Sequence, residues 1–165
     1  MNIDENIIRK SSYPPVSLQE IETVEKKYNM TFPDDYKKFL MLQNGGNTGA
    51  RRRFTTNDDQ KEGEIESSIL KFFPLSHNLN NNSEQKYRLY TETNVLSRIY
   101  YPIGETPRNN LVCIVVEGPN KGRVYHFDMD YDNYIEKKLP LEEEHIRLIA
   151  KSFTDLLDSL FVSQT

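Results

Sequence analysis

The first candidates for nucleophilic or metal chemistry in this chain are its one cysteine and its three histidines. Cys113 lies inside the apolar run Leu111–Val116. A free cysteine in such a run is generally buried as a small apolar residue, whereas a reactive one needs an adjacent base. The histidines stand far apart, and no two have the spacing of zinc ligands: they are His77, His126 and His145. The sequence therefore predicts a protein that is not an enzyme and that has no catalytic residues, metal or cofactor.

The acidic segment Asp128–Asn133 is the second candidate. It begins like a calcium loop, but an EF-hand needs glycine at the sixth position and glutamate at the twelfth, where this chain has Asn133 and Leu139. Two other interpretations stay open: an ordinary solvated turn, or an acidic and aromatic surface that binds a basic protein. In the last case the partner-binding residues are Asp128, Asp130, Tyr131, Asp132, Tyr134 and Glu136.

Two further charged runs have simpler explanations. Arg51–Arg53 is too short a basic run to indicate nucleic-acid binding in a chain of net charge −4 and pI near 5.5, and it is typical of a solvated loop. Glu142–Glu144 is expected to complement the dipole of the helix that follows it. The glycines lack the spacing of a phosphate-binding loop. The mild acidity instead suits a basic protein partner.

Length and composition indicate one intracellular domain. A chain of 165 residues fits a single domain, here residues 1–165 with an N-terminal extension at 1–15. That extension does not resemble a secretory signal, and no apolar run approaches the roughly 18 residues of a membrane span. The single cysteine cannot form an intrachain disulfide. We expect a cytoplasmic protein with no membrane contact.

The N-terminal helices carry the clearest local signals. Ser17 and Glu20 form a capping-box pattern, flanked by Val16 and Ile21 at the positions of a hydrophobic staple, which predicts a helix over 18–28.

A second helix is predicted to begin with Pro33 and to continue through acidic residues Asp34 and Asp35. Gly45-Gly46 is predicted to end it, so that the two helices form a hairpin.

Strands are predicted where β-branched and aromatic runs end at turn residues. They are expected at Arg52–Thr55, Ser68–Pro74, Ile99–Gly104, Leu111–Val116, Val124–Phe127 and Tyr134–Ile135. The run Leu111–Val116 is apolar on both faces, so we expect it at the centre of a sheet. The exposed strand near Arg52–Thr55 could pair between copies, which predicts a monomer or a weak homodimer.

Two more helices complete the prediction. His77–Ser83 is expected to be irregular, with Ser83 capping a helix that reaches Ser97. Apolar residues recur at helical spacing from Ile146 to Leu160, and the Ser152 capping pattern places the firm part of that helix from Phe153 onward. The order of elements predicts an α+β fold: a central antiparallel sheet with helices packed around it, an N-terminal helical hairpin and a C-terminal helix.

Several of these stretches together resemble the SUKH superfamily, and more narrowly its group named after the fungal Smi/Knr cell-wall regulators. The similar stretches are Val16–Ile21, Phe32–Leu40, Asn44–Gly46, Tyr101–Gly104, Gly122–Tyr125, Phe127-Asp128 and Ile149–Phe153. The resemblance implies an α+β fold with a central antiparallel sheet. It also implies a bacterial immunity protein that neutralises a cognate toxin, commonly a nuclease or deaminase, by tight binding.

Two alternatives from other classes stay open. One is a non-catalytic regulatory or scaffolding module related to the cell-wall regulators. The other is an enzyme or small-ligand binder, which would need a pocket that gathers His126, Asp128 and a tyrosine.

Overall fold

A computed structural model describes residues 3–9, 13–76 and 82–163. The first helix, α1 (Leu18–Tyr28), has both hydrogen bonds of the capping box: the Ser17 hydroxyl accepts from the Glu20 N–H, and the Glu20 side chain accepts from the Ser17 N–H. It ends at Asn29, whose φ of 52° is left-handed. The predicted bounds and cap are confirmed.

The second helix, α2 (Asp34–Leu42), begins one residue later than predicted, because Pro33 is its N-cap and not its first residue. Gln43 already has an extended backbone, and Gly45 follows with a φ of 69°. The left-handed backbone after the helix is therefore where the glycine pair predicts it. The two helices contact each other as the expected hairpin.

Nine strands and three more helices follow in the described residues. The strands are β1 (Gly46–Asn47), β2 (Arg51–Thr55), β3 (Glu66–Ser68), β4 (Lys71–Phe72), β5 (Tyr100–Thr106), β6 (Asn110–Val115), β7 (Val124–Phe127), β8 (Ile146–Ala150) and β9 (Phe161–Val162). The helices are α3 (Ser83–Glu92), α4 (Tyr134–Lys137) and α5 (Phe153–Ser159). Six strands form an antiparallel sheet in the order β1-β4-β5-β6-β7-β8, and a small sheet has the order β3-β2-β9. The predicted α+β class with a central antiparallel sheet is confirmed.

The strand β6 lies inside the large sheet with every residue buried, as its two-sided apolar pattern predicts. Val112 and Ile114 belong to the core under α1, α2 and α5, whereas Leu111 and Cys113 belong to a second core on the opposite face. Alternate side chains point to opposite faces of a strand, so a strand covered on both sides must be apolar throughout. Burial raises the pKa of the Cys113 thiol well above its ordinary value, so it is not a poised nucleophile.

The predicted strand Ser68–Pro74 is wrong, because this stretch divides between the two sheets. The Ile69 N–H donates to the Arg52 carbonyl in the small sheet at 2.8 Å. The next N–H, of Leu70, donates to the Glu105 carbonyl in the large sheet, also at 2.8 Å. Both backbone donors remain satisfied as the chain crosses, so an apolar run that looks continuous serves two sheets.

The third helix differs from the prediction at both ends. Its cap is Asn82, whose side chain accepts from the Gln85 N–H at 2.8 Å. The Ser83 hydroxyl is buried and instead bonds to the Tyr101 hydroxyl at 2.8 Å. The helix ends at Glu92 and not at Ser97, since the chain turns through a left-handed residue at position 94. Most of the irregular segment predicted before it, residues 77–81, lies outside the described residues.

Two predictions in the C-terminal third are also wrong. Tyr134–Ile135 is part of the helix α4 and not a strand. The stretch from Ile146 to Ala150 is the strand β8, paired with β7, so helical structure begins only at Phe153. The Ser152 hydroxyl caps that helix by accepting from the Asp155 N–H at 3.0 Å, as predicted.

The strand β2 lies between β3 and β9, so it has no free edge for pairing with a second copy. The prediction of an exposed strand near Arg52–Thr55 that could pair between copies is therefore wrong. The oligomeric state itself stays a prediction. In the described part of the chain, no helix has the length and apolar character needed to span a membrane.

Candidate partner-binding surface

The connection between β7 and β8, residues 128–145, forms a tied loop. At its base the Asp128 N–H donates to the His145 carbonyl at 3.0 Å. Tyr134, only 6% exposed, and Leu141 pack into the second core, and the Leu141 N–H donates to the Val95 carbonyl at 2.9 Å. The Met129 N–H donates to the Asn110 side chain at 2.7 Å. These anchors fix the backbone, so the side chains between them are displayed in set positions.

Most of the predicted partner-binding residues are displayed on this loop. Tyr131 is 64% exposed, and Asp130, Asp132 and Glu136 are also exposed, whereas Asp128 is half-buried. Tyr134 differs because it is one of the loop's anchors in the core, which removes most of its side chain from a contact surface.

Local bonds hold the exposed carboxylates. Asp130 pairs with Arg108 at 3.5 Å, and Asp132 pairs with Lys137 at 2.8 Å. The hydrogen bond from Lys137, helped by the Asn133 N–H, lowers the pKa of Asp132, so this carboxylate stays ionised at neutral pH.

These carboxylates do not form a calcium loop. One Asp128 oxygen accepts the Asp130 N–H at 3.0 Å, and the other two aspartates pair with separate cations. Within the described residues, the side chains close enough to share one ion are instead Glu142, Glu144 and His145. The segment Asp128–Asn133 is therefore a hydrogen-bonded acidic turn with a displayed tyrosine.

The ring of Tyr131 stacks on the ring of His145, with centroids 3.8 Å apart and planes 9° apart. The histidine side chain is only 13% exposed, and its Nε2 lies 3.7 Å from a Glu142 oxygen and 3.8 Å from a Glu144 oxygen. The stack therefore joins the predicted acidic turn to a second group of carboxylates at the end of the same loop.

A groove of about 930 Å³ lies where a distant loop meets this segment. The Arg147 guanidinium fixes that loop by donating to the carbonyls of Glu62 and Gly63, each at 2.9 Å. Lys61 of that loop pairs with Glu143 of the 128–145 connection at 3.4 Å. The groove is lined by Gln60, Lys61, Glu62, Tyr131, Asp132, Tyr134, Leu139, Pro140, Glu142, Glu144, His145 and Arg147.

The sequence did not identify the part of this surface formed by Glu142, Glu144 and His145. The prediction that Glu142–Glu144 complements a helix dipole is wrong, since the run enters a short 3-10 helix and then the strand β8. The local signal for it was the presence of Tyr131 and His145 on either side of Glu142 and Glu144 in the sequence. Their stacking, however, depends on the tertiary path of the loop.

His126 is outside this surface. It is 3% exposed, its Nε2 lies 3.2 Å from the Thr106 hydroxyl, and its ring lies 5.5 Å from the Phe54 ring. Burial lowers its pKa to about 4, which keeps the imidazole neutral at ordinary pH. The ring thus contacts Thr106 and Phe54 in the described structure, and the absence of catalysis stays a prediction.

The candidate surface and nearly all elements of the fold fall within one match to a known family. The family model described as SMI1/KNR4 family (SUKH-1) matches residues 15–159. This chain belongs to the SMI1/KNR4 family. The family suggested by the N-terminal and C-terminal motifs is thus confirmed.

A protein of Bacillus subtilis (strain 168), the uncharacterized protein YnaB, is 55% identical to this SMI1/KNR4 family chain over 31 residues. The matched segment covers 19% of this chain and 22% of that protein.

Proposed function

We propose that this SMI1/KNR4 family chain is a bacterial immunity protein that binds a cognate toxin and neutralises it by covering its active site or substrate groove. The observation that carries the proposal is the family match over residues 15–159, since SUKH proteins are commonly immunity proteins. The expected toxin is of the nuclease or deaminase type. Neutralisation by this chain involves no catalysis and takes place in the cytoplasm.

The proposed mechanism needs a rigid surface that is already formed before binding. The loop 128–145 has the required character, because buried anchors and backbone hydrogen bonds fix it while Tyr131 and its neighbouring carboxylates face solvent. Interfaces of this kind bury about 1,600 Å² in total, and a few aromatic or arginine anchors supply most of the binding energy. Little ordering entropy is lost when the surface is preformed.

The test begins with a pull-down from the native cell at physiological salt, with the whole chain as bait. Each captured protein is then expressed in a sensitive host with and without this chain. The proposal expects one captured protein that is toxic alone and harmless on co-expression.

Titration of the purified pair separates occlusion from catalysis. Binding predicts that toxin activity falls in proportion to the chain added and reaches zero at a fixed stoichiometry. Loss of activity at far less than one chain per toxin would instead show turnover. Capture of envelope or signalling proteins, without any protection, would overturn the immunity function in favour of a regulatory module.

A further inference from the structure

The groove beside Tyr131 has more carboxylates than available cations. Its lining contains four carboxylates, one lysine and one arginine. The lysine, Lys61, already pairs with Asp58 at 3.8 Å and Glu143 at 3.4 Å. The Arg147 guanidinium donates to two backbone carbonyls of the neighbouring loop. Both cations are thus committed to holding the walls together.

Two of the lining carboxylates, Glu142 and Glu144, have no lysine or arginine partner in the described part of the chain. Among the described residues, the basic side chain beside them is that of His145. One ligand atom from each of the three side chains lies within 4.8 Å of the others. The hydrogen bond and negative charge of Glu144 raise the pKa of Glu142. When a neighbouring carboxylate raises the pKa of another in this way, an added cation stabilises the charged form of both.

The lining also contains an aromatic platform. One face of the Tyr131 ring is covered by His145 in the parallel stack, while 64% of the residue remains exposed. A cation over the open face of a tyrosine is attracted by the ring. The apolar side chains of Leu139 and Pro140 line the same groove and can cover an aliphatic stem.

Among cations, a guanidinium fits this combination. It is planar, so it can stack on a tyrosine, and its forked donors match carboxylate oxygens, whereas an ammonium is a compact and strongly hydrated charge. We propose that the groove receives an arginine side chain of a basic segment on the protein partner, stacked on Tyr131 and paired with Glu142 and Glu144. The inference rests on the proposed function, because it names the contact by which a protein partner is held.

A blocked peptide, acetyl-Gly-Arg-Gly-amide, tests the groove without a known partner. In an NMR titration of the whole chain, the backbone amide signals of Tyr131 and His145 should shift saturably, with a Kd in the millimolar range expected for one side chain. The matched peptide with citrulline, which has the same shape and no charge, should produce no saturable shift. Equal shifts with both peptides would overturn the proposal.

Variants separate the groove from the overall charge of the protein. Replacing both groove carboxylates, E142Q/E144Q, should weaken arginine-peptide binding about tenfold, whereas E22Q/E92Q removes two exposed carboxylates from α1 and α3 and should leave it unchanged. Tyr131→Leu should weaken binding about threefold, and Tyr131→Phe should retain it. An equal loss in both double variants would refute a specific site. Micromolar Zn²⁺ binding to a groove whose signals the peptide does not shift would refute it as well.

The captured partner distinguishes failure of this inference from failure of the proposed function. If a toxin is captured and neutralised, E142Q/E144Q should raise its Kd at least tenfold relative to E22Q/E92Q. A neutralised toxin that binds both variants equally would overturn the groove and leave the immunity function standing. If the purified chain binds the arginine peptide specifically but the pull-down yields no protein that it neutralises, the groove is supported and the immunity function is overturned.

Discussion

Replacement of Asn44 by alanine should destabilise the fold through the loss of a buried network. The side chain is fully buried, and its Nδ2 donates to the carbonyls of Pro14 at 3.1 Å and Leu75 at 3.0 Å. Its Oδ1 accepts from the Leu75 N–H at 2.8 Å. One amide therefore joins the end of α2 to two other segments of the chain.

The expected magnitude follows from the groups that lose their partners. In the Asn44→Ala variant, the Leu75 N–H and carbonyl lose the side chain that satisfies them, and each buried unsatisfied group costs about 1–3 kcal/mol. We expect the free energy of unfolding to fall by about 3 kcal/mol, a large part of the usual 5–15 kcal/mol of a domain. The unfolding midpoint should fall by about 6–12 °C.

Equilibrium urea unfolding, followed by far-UV circular dichroism, measures this loss. The control is Asn57→Ala, since Asn57 is exposed and bonds through its backbone N–H to the Leu148 carbonyl, which the substitution retains. The control should change stability by less than about 0.5 kcal/mol. A loss for Asn44→Ala within about 1 kcal/mol of the control, at an unchanged denaturant slope, would refute the assignment of this network.

Three further predictions concern stability. Gly45→Ala should lower the free energy of unfolding in urea by about 2 kcal/mol or more, and clearly by more than Gly63→Ala. Both positions have a left-handed φ, of 69° and 75°, but only at Gly45 would a Cβ lie 2.6 Å from a backbone carbonyl oxygen. Equal losses would contradict the close approach. Burial lowers the pKa of His126 to about 4, so on acidification the unfolded chain binds a proton at this residue before the folded chain does. The contribution of His126 to the free energy of unfolding should therefore be fully present above about pH 6.5 and fall by about 2–3 kcal/mol toward pH 4.5. His126→Gln should lack this part of the pH dependence in urea titrations at the two pH values, and an unchanged slope would count against the assignment. Asp35→Ala should lower the free energy of unfolding by about 2 kcal/mol in the same assay. One Asp35 oxygen accepts from both the N–H and the hydroxyl of Thr154, at 2.9 and 3.0 Å, and so joins α2 to α5. A change below about 0.5 kcal/mol would show that these two hydrogen bonds are not stabilising.

Some parts of the candidate surface were predictable because they depend on exposure alone. A charged turn with one tyrosine is displayed in almost any fold, and Asp130, Tyr131 and Asp132 are indeed exposed. The sequence predicts Tyr134 on the same surface because it lies only three residues from Tyr131. Its burial results from one turn of α4, which directs this residue into the second core.

The sequence alone determined the features that depend on residues a few positions apart. The capping box of Ser17 and Glu20 fixes the start of α1, and the six consecutive apolar residues Leu111–Val116 require a strand that is covered on both faces. Caps and apolar periodicity act within one or two turns of chain, so a sequence displays them completely. The family match agrees with these local motifs.

Tertiary structure alone decided which segments pair and which side chains meet. The spacing of Ile146 and Ile149 is compatible with a helix, but hydrogen bonds to β7 place both residues in a strand. The groove likewise needs the loop at Glu62, held by Arg147 from 85 residues away, and the turn that stacks Tyr131 on His145. Such contacts satisfy backbone donors and bury surface between distant segments, and their energy has no counterpart in any local pattern of residues.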